Sequence, residues 1–232
     1  MLRRNWRRFI PIYAILPLVT TGLMNLFAYQ LPKLIQLLLH SARSYDLTSA
    51  LDVQFPFRPG WIWVYIATFL FWVYQYTTVA RESPERACRL AAADFVAKLV
   101  CFLCFVITPT FNVRPEVTTG GATGFLMRFI YWIDTPTNLF PSIHCFVAWL
   151  GTRFLYDTKN LRRPVFTRIV CTVGSILVFL STLYTRQHVL LDVVAGIAVA
   201  EYGYLIAKYT PLTGTFQKLN ARFMKTRLVD IL

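Results

Sequence analysis

Ser181-Thr182-Leu183-Tyr184-Thr185-Arg186-Gln187-His188-Val189-Leu190-Leu191-Asp192 lies where one long apolar run stops and the next begins, and it continues into Val193-Val194-Ala195-Gly196. His188 and Asp192 are four residues apart, so on a helix they share a face and touch. A carboxylate beside an imidazole fixes its tautomer and steadies its charged form, as a nucleophilic or proton-shuttling histidine requires. Arg186 adds an always-charged fork suited to phosphate oxygens. If Arg186 precedes the helix that carries His188, it lies in a turn and can reach inward. On a continuous helix its two-residue offset points it elsewhere.

The surrounding chain has 232 residues, of which 56% are hydrophobic, more than a soluble domain of this size carries. Its formal net charge of +13 is gathered into short segments between apolar runs. Clustering of that kind is a topology signal, and it argues against a nucleic-acid partner, which needs basic residues spread along one exposed face. Among the five cysteines, Cys101 and Cys104 form a C-x-x-C inside an apolar run, without the flanks of a redox turn or zinc knuckle. They read, with Cys88, Cys145 and Cys171, as small packing residues.

Apolar periodicity and punctuation divide the chain into six expected spans of about 17 to 20 residues, the length that suits a hydrocarbon core. A basic start, Met1 to Arg8, precedes the first, Phe9 to about Tyr29, which has no signal-peptide cleavage pattern. Leu31 to His40 either extends it or lies along the interface, with His40 an interfacial residue. Trp61 to Val79 is the second span, after a broken polar segment from Ser41 to Gly60. The loop Arg81 to Arg89 leads to the third, Ala93 to Thr108, near whose start Asp94 and Lys98 fit a snorkelling ion pair. Pro109 to Asn138 is the longest loop. Phe140 to Tyr156, Ile169 to Leu183 and Val189 to Ala207 complete the set, with Asp157 to Pro164 between the fourth and fifth and a basic tail beyond the sixth. Glu201 in the last span is either a buried polar partner or an accident of packing.

The N-terminus, the loop after span two, the loop after span four and the tail carry the Lys and Arg excess, which predicts cytoplasmic termini. Three polar clusters then share the extracytoplasmic side: Asn112-Val113-Arg114-Pro115-Glu116, Pro141-Ser142-Ile143-His144, and Arg186 with His188 and Asp192. Ionisable groups at such depth are costly and usually functional. Pro141 suits a first helical turn, whose free N–H groups with the Ser142 hydroxyl make an anion site.

These residues resemble the type-2 phosphatidic acid phosphatase superfamily, whose motifs are K-x6-R-P, P-S-x-H and S-R-x5-H-x3-D. The second is complete as Pro141-Ser142-Ile143-His144, and Ser181, His188 and Asp192 match the third in register. Arg114-Pro115 ends the first, with Ile107 at its lysine position, and Thr182 stands at the arginine position of the third. The resemblance implies an all-α six-helix bundle in the plasma membrane, one membrane-embedded domain over 1–232 with its motifs in 107–196. It also implies a cofactor-free phosphohistidine mechanism. His188 is similar to the nucleophile, Asp192 orients it, and His144 protonates the leaving oxygen and then activates the acceptor. Arg114, Ser142 and Arg186 hold the phosphoryl oxygens.

The expected activity is therefore hydrolysis of a lipid phosphate monoester, a phosphatidate-like or isoprenyl phosphate. One alternative is transfer of a phospho-headgroup to an alcohol, as in inositol-phosphorylceramide or sphingomyelin synthase-like relatives, since a thinner cation clamp suits a singly charged diester. A non-catalytic transporter or scaffold and a metal site on His144, His188 and Asp192 are further alternatives. The partners implied are a lipid phosphate substrate and membrane lipids; the residues set no oligomeric state.

Overall fold

The computed structural model describes residues 10–38, 44–159, 161 and 164–226. Met1 to Phe9, His40, Asn160, Arg162, Arg163 and Arg227 lie outside the described residues. Among the described residues the regular structure is helical, with one two-residue parallel pairing and an isolated antiparallel bridge between Phe111 and Thr137. Its elements run α1 (Ile12–Leu38), β1 (Tyr45–Asp46), 3-10 turns at Ala50–Gln54 and Pro59–Trp61, α2 (Ile62–Ala80) and α3 (Pro84–Ile107). They continue as β2 (Thr110–Phe111), α4 (Gly121–Ile133), α5 (Ile143–Asp157), α6 (Pro164–Tyr184), α7 (Leu190–Tyr209) and α8 (Leu212–Phe223).

Several boundaries differ from the sequence expectation, each for a local reason. The segment from Leu31 continues α1 to Leu38, because its exposed Leu34, Leu37 and Leu38 prolong the apolar face already formed by Leu23, Leu26 and Phe27. Arg86 and Arg89 are not in a loop. Ser83 accepts the Arg86 N–H at 3.1 Å and Pro84 fills the first helical position, so α3 starts there. The loop expected from Pro109 to Asn138 contains α4, and the basic tail contains α8, which is tied to the start of α1 by Asn220 Nδ2 donating to the Tyr13 carbonyl at 2.9 Å.

α5 is the centre of the bundle, packed by α2, α3, α6 and α7. Ala148, Leu150, Phe154 and Leu155 on it are fully buried. Being sheathed in protein rather than lipid, it tolerates polar residues that bond across helices: Gln75 Nε2 donates to Thr152 Oγ1 at 2.8 Å, and Thr152 meets the Ser175 hydroxyl at 2.8 Å. Close approach is bought by glycines, with Gly196 of α7 beneath the Ser142 carbonyl and Gly203 beneath that of Ala93.

Asp94 and Lys98 do not snorkel. Their side chains are 0% and 4% exposed and paired at 2.7 Å, Tyr76 donates to Asp94 at 2.8 Å, and Lys98 donates to the Thr21 carbonyl of α1 at 2.7 Å. Glu201 is a polar partner, accepting from Trp149 Nε1 at 2.8 Å and Arg153 Nε at 3.2 Å.

Four helices, α1, α3, α6 and α7, are long and apolar enough to cross a membrane. Their outer faces carry exposed Leu26, Leu103, Val173, Ile176 and Leu205, a surface made for lipid rather than water. The chain is thus an all-α, multi-pass membrane protein.

The glycines give a paired test. A Cβ on Gly203 would stand 2.5 Å from the Ala93 backbone oxygen, whereas one on Gly22 meets nothing within 4 Å. Gly203→Ala is expected to cost about 1–3 kcal/mol, read as a lower Tm in detergent, while Gly22→Ala leaves Tm unchanged or raises it.

Candidate active site

Between α6 and α7 the residues Thr185 to Val189 reverse the chain. Arg186 takes a left-handed backbone, φ 54°, a conformation that must be held by its surroundings in a residue with a Cβ. The holding groups are visible. The Gln187 and His188 N–H groups both donate to the Thr182 carbonyl, at 2.9 and 3.2 Å. Asn112 Nδ2 donates to the Arg186 carbonyl at 3.0 Å, and the Tyr131 hydroxyl to the Thr185 carbonyl at 2.7 Å. Burial pushes the Tyr131 phenol up to about 12 against the opposing charges of Arg114 and Arg186, so it stays a donor.

His188 is not on the helix; it sits just before the N-cap residue Val189. Asp192, in the first turn of α7, reaches back instead. Its Oδ2 accepts the Val189 N–H at 3.1 Å and lies 3.2 Å from His188 Nδ1. Because a carboxylate only accepts, Nδ1 carries the ring proton and Nε2 is left free. The Asp192 carbonyl accepts the Ser142 N–H at 3.0 Å, which pins the start of α5 to the start of α7.

In the first turn of α5, His144 Nε2 lies 2.8 Å from the Tyr65 hydroxyl of α2. Its ring packs among Tyr65, Phe69 and Trp72, and its centroid is 5.7 Å from that of His188. Both histidines line a cavity of about 200 Å³ shared with Tyr29, Tyr65, Asp134 and Asn138. The two imidazoles expected to converge therefore do.

The three expected anion ligands stand differently. Arg114 is beside the motif, donating to the Asp134 carbonyl and the Gln187 side chain and stacked 4.6 Å over the Tyr131 ring. Ser142 is fully buried and spends its hydroxyl capping α5, accepting the Cys145 N–H at 3.3 Å. Arg186 lies in the turn, and its guanidinium has no hydrogen-bond or ion-pair partner among the described residues. None of the three lines the cavity. At the positions where the family motifs carry cations, Thr182 is buried with its hydroxyl on the Phe179 carbonyl, and Ile107 is 73% exposed. No lysine or arginine is among the described residues lining the cavity. Nor do three His, Cys, Asp or Glu side chains come together in a metal-holding group among the described residues.

Four residues escaped the sequence reading: Tyr65, Asp134, Gln187 and Asp52. Gln187, between Arg186 and His188, had positional signal; the others are single polar residues in loops or apolar helices. Asp52 accepts the Leu190 N–H of α7 at 2.7 Å with Oδ1, while Oδ2 takes the Ser49 N–H at 2.8 Å and hydroxyl at 2.6 Å. Burial disfavours its charge, but the Ser49 and Leu190 hydrogen bonds and the nearby Arg186 outweigh that and hold the carboxyl below the usual carboxylate range.

A helix bundle with an apolar outer surface gathers two histidines and a carboxylate at one end, an arrangement that fits the membrane phosphatase-like class to which the family match assigns the chain. The chain belongs to the PAP2 superfamily, whose family model matches residues 61–206, from the turn before α2 well into α7. No curated protein sequence and no solved structure matches it significantly.

Asp52→Ala removes an acceptor from the first turn of α7 and is expected to cost about 1–2 kcal/mol at neutral pH. Since the folded pKa is lowered, that stabilisation is present above the ordinary carboxylate value of about 4 and is lost as pH falls through the folded value. Denaturation of wild type and variant should therefore converge in acid.

Proposed function

We propose that the chain is an integral-membrane lipid-phosphate phosphatase working through a phosphohistidine on His188. The observation that carries this reading is the pairing of two imidazoles across one cavity, His188 with its Nδ1 on Asp192 and its Nε2 free. Nε2 attacks phosphorus as the lipid oxygen leaves, and the new P–N bond holds the phosphoryl group. His144, on the far side of the cavity, gives the leaving oxygen its proton, then takes one from the attacking water. Water adds to phosphorus, the P–N electron pair returns to His188, and Asp192 steadies the imidazolium in both steps.

Donors without partners support the same reading. Trp72 Nε1 and Asn138 Nδ2 are buried on cavity-lining residues and make no hydrogen bond. Unsatisfied buried donors are costly, and an acceptor-rich phosphoryl group satisfies them. The basic loops favour a cavity opening to the extracytoplasmic leaflet of the plasma membrane.

A second reading rests on charge. The cavity holds Asp134 and no lysine or arginine among its described lining residues, a poor setting for a phosphate dianion and a better one for a diester carrying one charge. The phosphohistidine would then pass its group to an alcohol headgroup or lipid.

His188→Ala and His144→Ala are each expected to lower release of inorganic phosphate from a panel of lipid phosphates by about 10²-fold or more, with folding intact by Tm. Unchanged release in both ends the mechanism. Headgroup exchange without phosphate release transfers the case to the second reading.

A further inference from the structure

We infer that Tyr65 and Asp134 are positioning residues for His144, a phenol and a second carboxylate that fix which ring nitrogen faces the substrate. The inference rests on the phosphohistidine reading for its kinetic meaning but not for its structural content. Asp134 lies at the end of α4, where the chain turns towards α5, and lines the cavity. Its Oδ1 accepts from the Tyr29 hydroxyl of α1, and its Oδ2 accepts from the Tyr65 hydroxyl of α2 at 3.2 Å. The Tyr65 oxygen is also 2.8 Å from His144 Nε2.

Proton counting decides the tautomer. Tyr65 has one hydroxyl proton, and the carboxylate of Asp134 can only accept. With its O–H donated to Asp134 Oδ2, the Tyr65 oxygen meets His144 as an acceptor, so His144 Nε2 carries the hydrogen between them. Nδ1 is then the nitrogen with a free lone pair. His188 is arranged the opposite way, Nδ1 bound to its carboxylate and Nε2 free. Each catalytic ring thus has one nitrogen anchored, directly or through a phenol, and one available.

In the acceptor step, His144 Nδ1 takes the proton of the incoming oxygen as that oxygen bonds to phosphorus and the P–N bond to His188 breaks. The charge left on His144 is met by the Nε2–H to Tyr65 and the Tyr65 O–H to Asp134. No proton moves along the chain. The proton held on Nδ1 goes to the leaving oxygen of the next turnover.

The chain has three histidines, so 15N-histidine labelling in micelles gives a spectrum simple enough to read each tautomer, with His40→Gln and His188→Gln to assign it. Wild type should show neutral His144 protonated on Nε2. Tyr65→Phe and Asp134→Asn should each turn that into a mixture while His188 stays on Nδ1. Both variants should also lower kcat on lipid phosphates at least about tenfold with little change in KM. Phosphohistidine should still form from p-nitrophenyl phosphate, whose leaving group needs no proton. His144 protonated on Nδ1 in wild type, or a tautomer indifferent to Tyr65→Phe, overturns the assignment. If the tautomer result holds but no phosphate donor reacts with wild type, the positioning stands and the phosphatase reading falls.

Discussion

One carboxylate, Asp192, ties the polar end of this bundle together. Its side chain takes the backbone N–H that opens α7 and faces the His188 imidazole, and its carbonyl takes the Ser142 N–H that opens α5. Helix starts leave several N–H groups without intrahelical partners, and in an apolar bundle each must find an acceptor inside the protein. Here the residue that meets that demand also orients the histidine. Stability and geometry are therefore set by the same atoms. Asp52 repeats the pattern from outside, taking the next N–H of α7 and anchoring the segment before α2 to it.

That arrangement explains how far the sequence could be read. The six apolar runs were legible by length and composition, and their cores coincide with α1, α2, α3, α5, α6 and α7, of which α1, α3, α6 and α7 are long and apolar enough to cross a membrane. The helix starts of α3 and α6 were placed late because charged residues at Arg86, Arg89 and Arg168 masked them. Cap chemistry at Ser83-Pro84 is the signal that corrects the first. α4 lay unread in a loop because an amphipathic helix of 13 residues has neither the length nor the continuous apolarity of a span.

In the site, His144, His188 and Asp192 were legible because their spacing survives in the linear chain. The reason given for the third was wrong in detail, since His188 and Asp192 meet across a helix start and not along a helix face. Ser142 and Arg186 are near the site in sequence, yet the Ser142 hydroxyl caps α5 and Arg186 does not line the cavity. Tyr65, Asp134 and Tyr29 converge from three separate elements. Nothing in a linear pattern distinguishes a tyrosine at a membrane boundary from one aimed at a carboxylate.

The Asp94–Lys98 pair bears on how the protein is assembled. Each charge at the middle of a lone helix costs about 2.5–3.5 kcal/mol to insert, and their partners here, Tyr76 and the Thr21 carbonyl, belong to α2 and α1. α3 is apolar enough to cross a membrane even with the pair included, but on a lone helix the two charges would have only each other. The phenol of α2 and the carbonyl of α1 lower that cost further, so the buried place of α3 is favoured once the first two helices are packed against it.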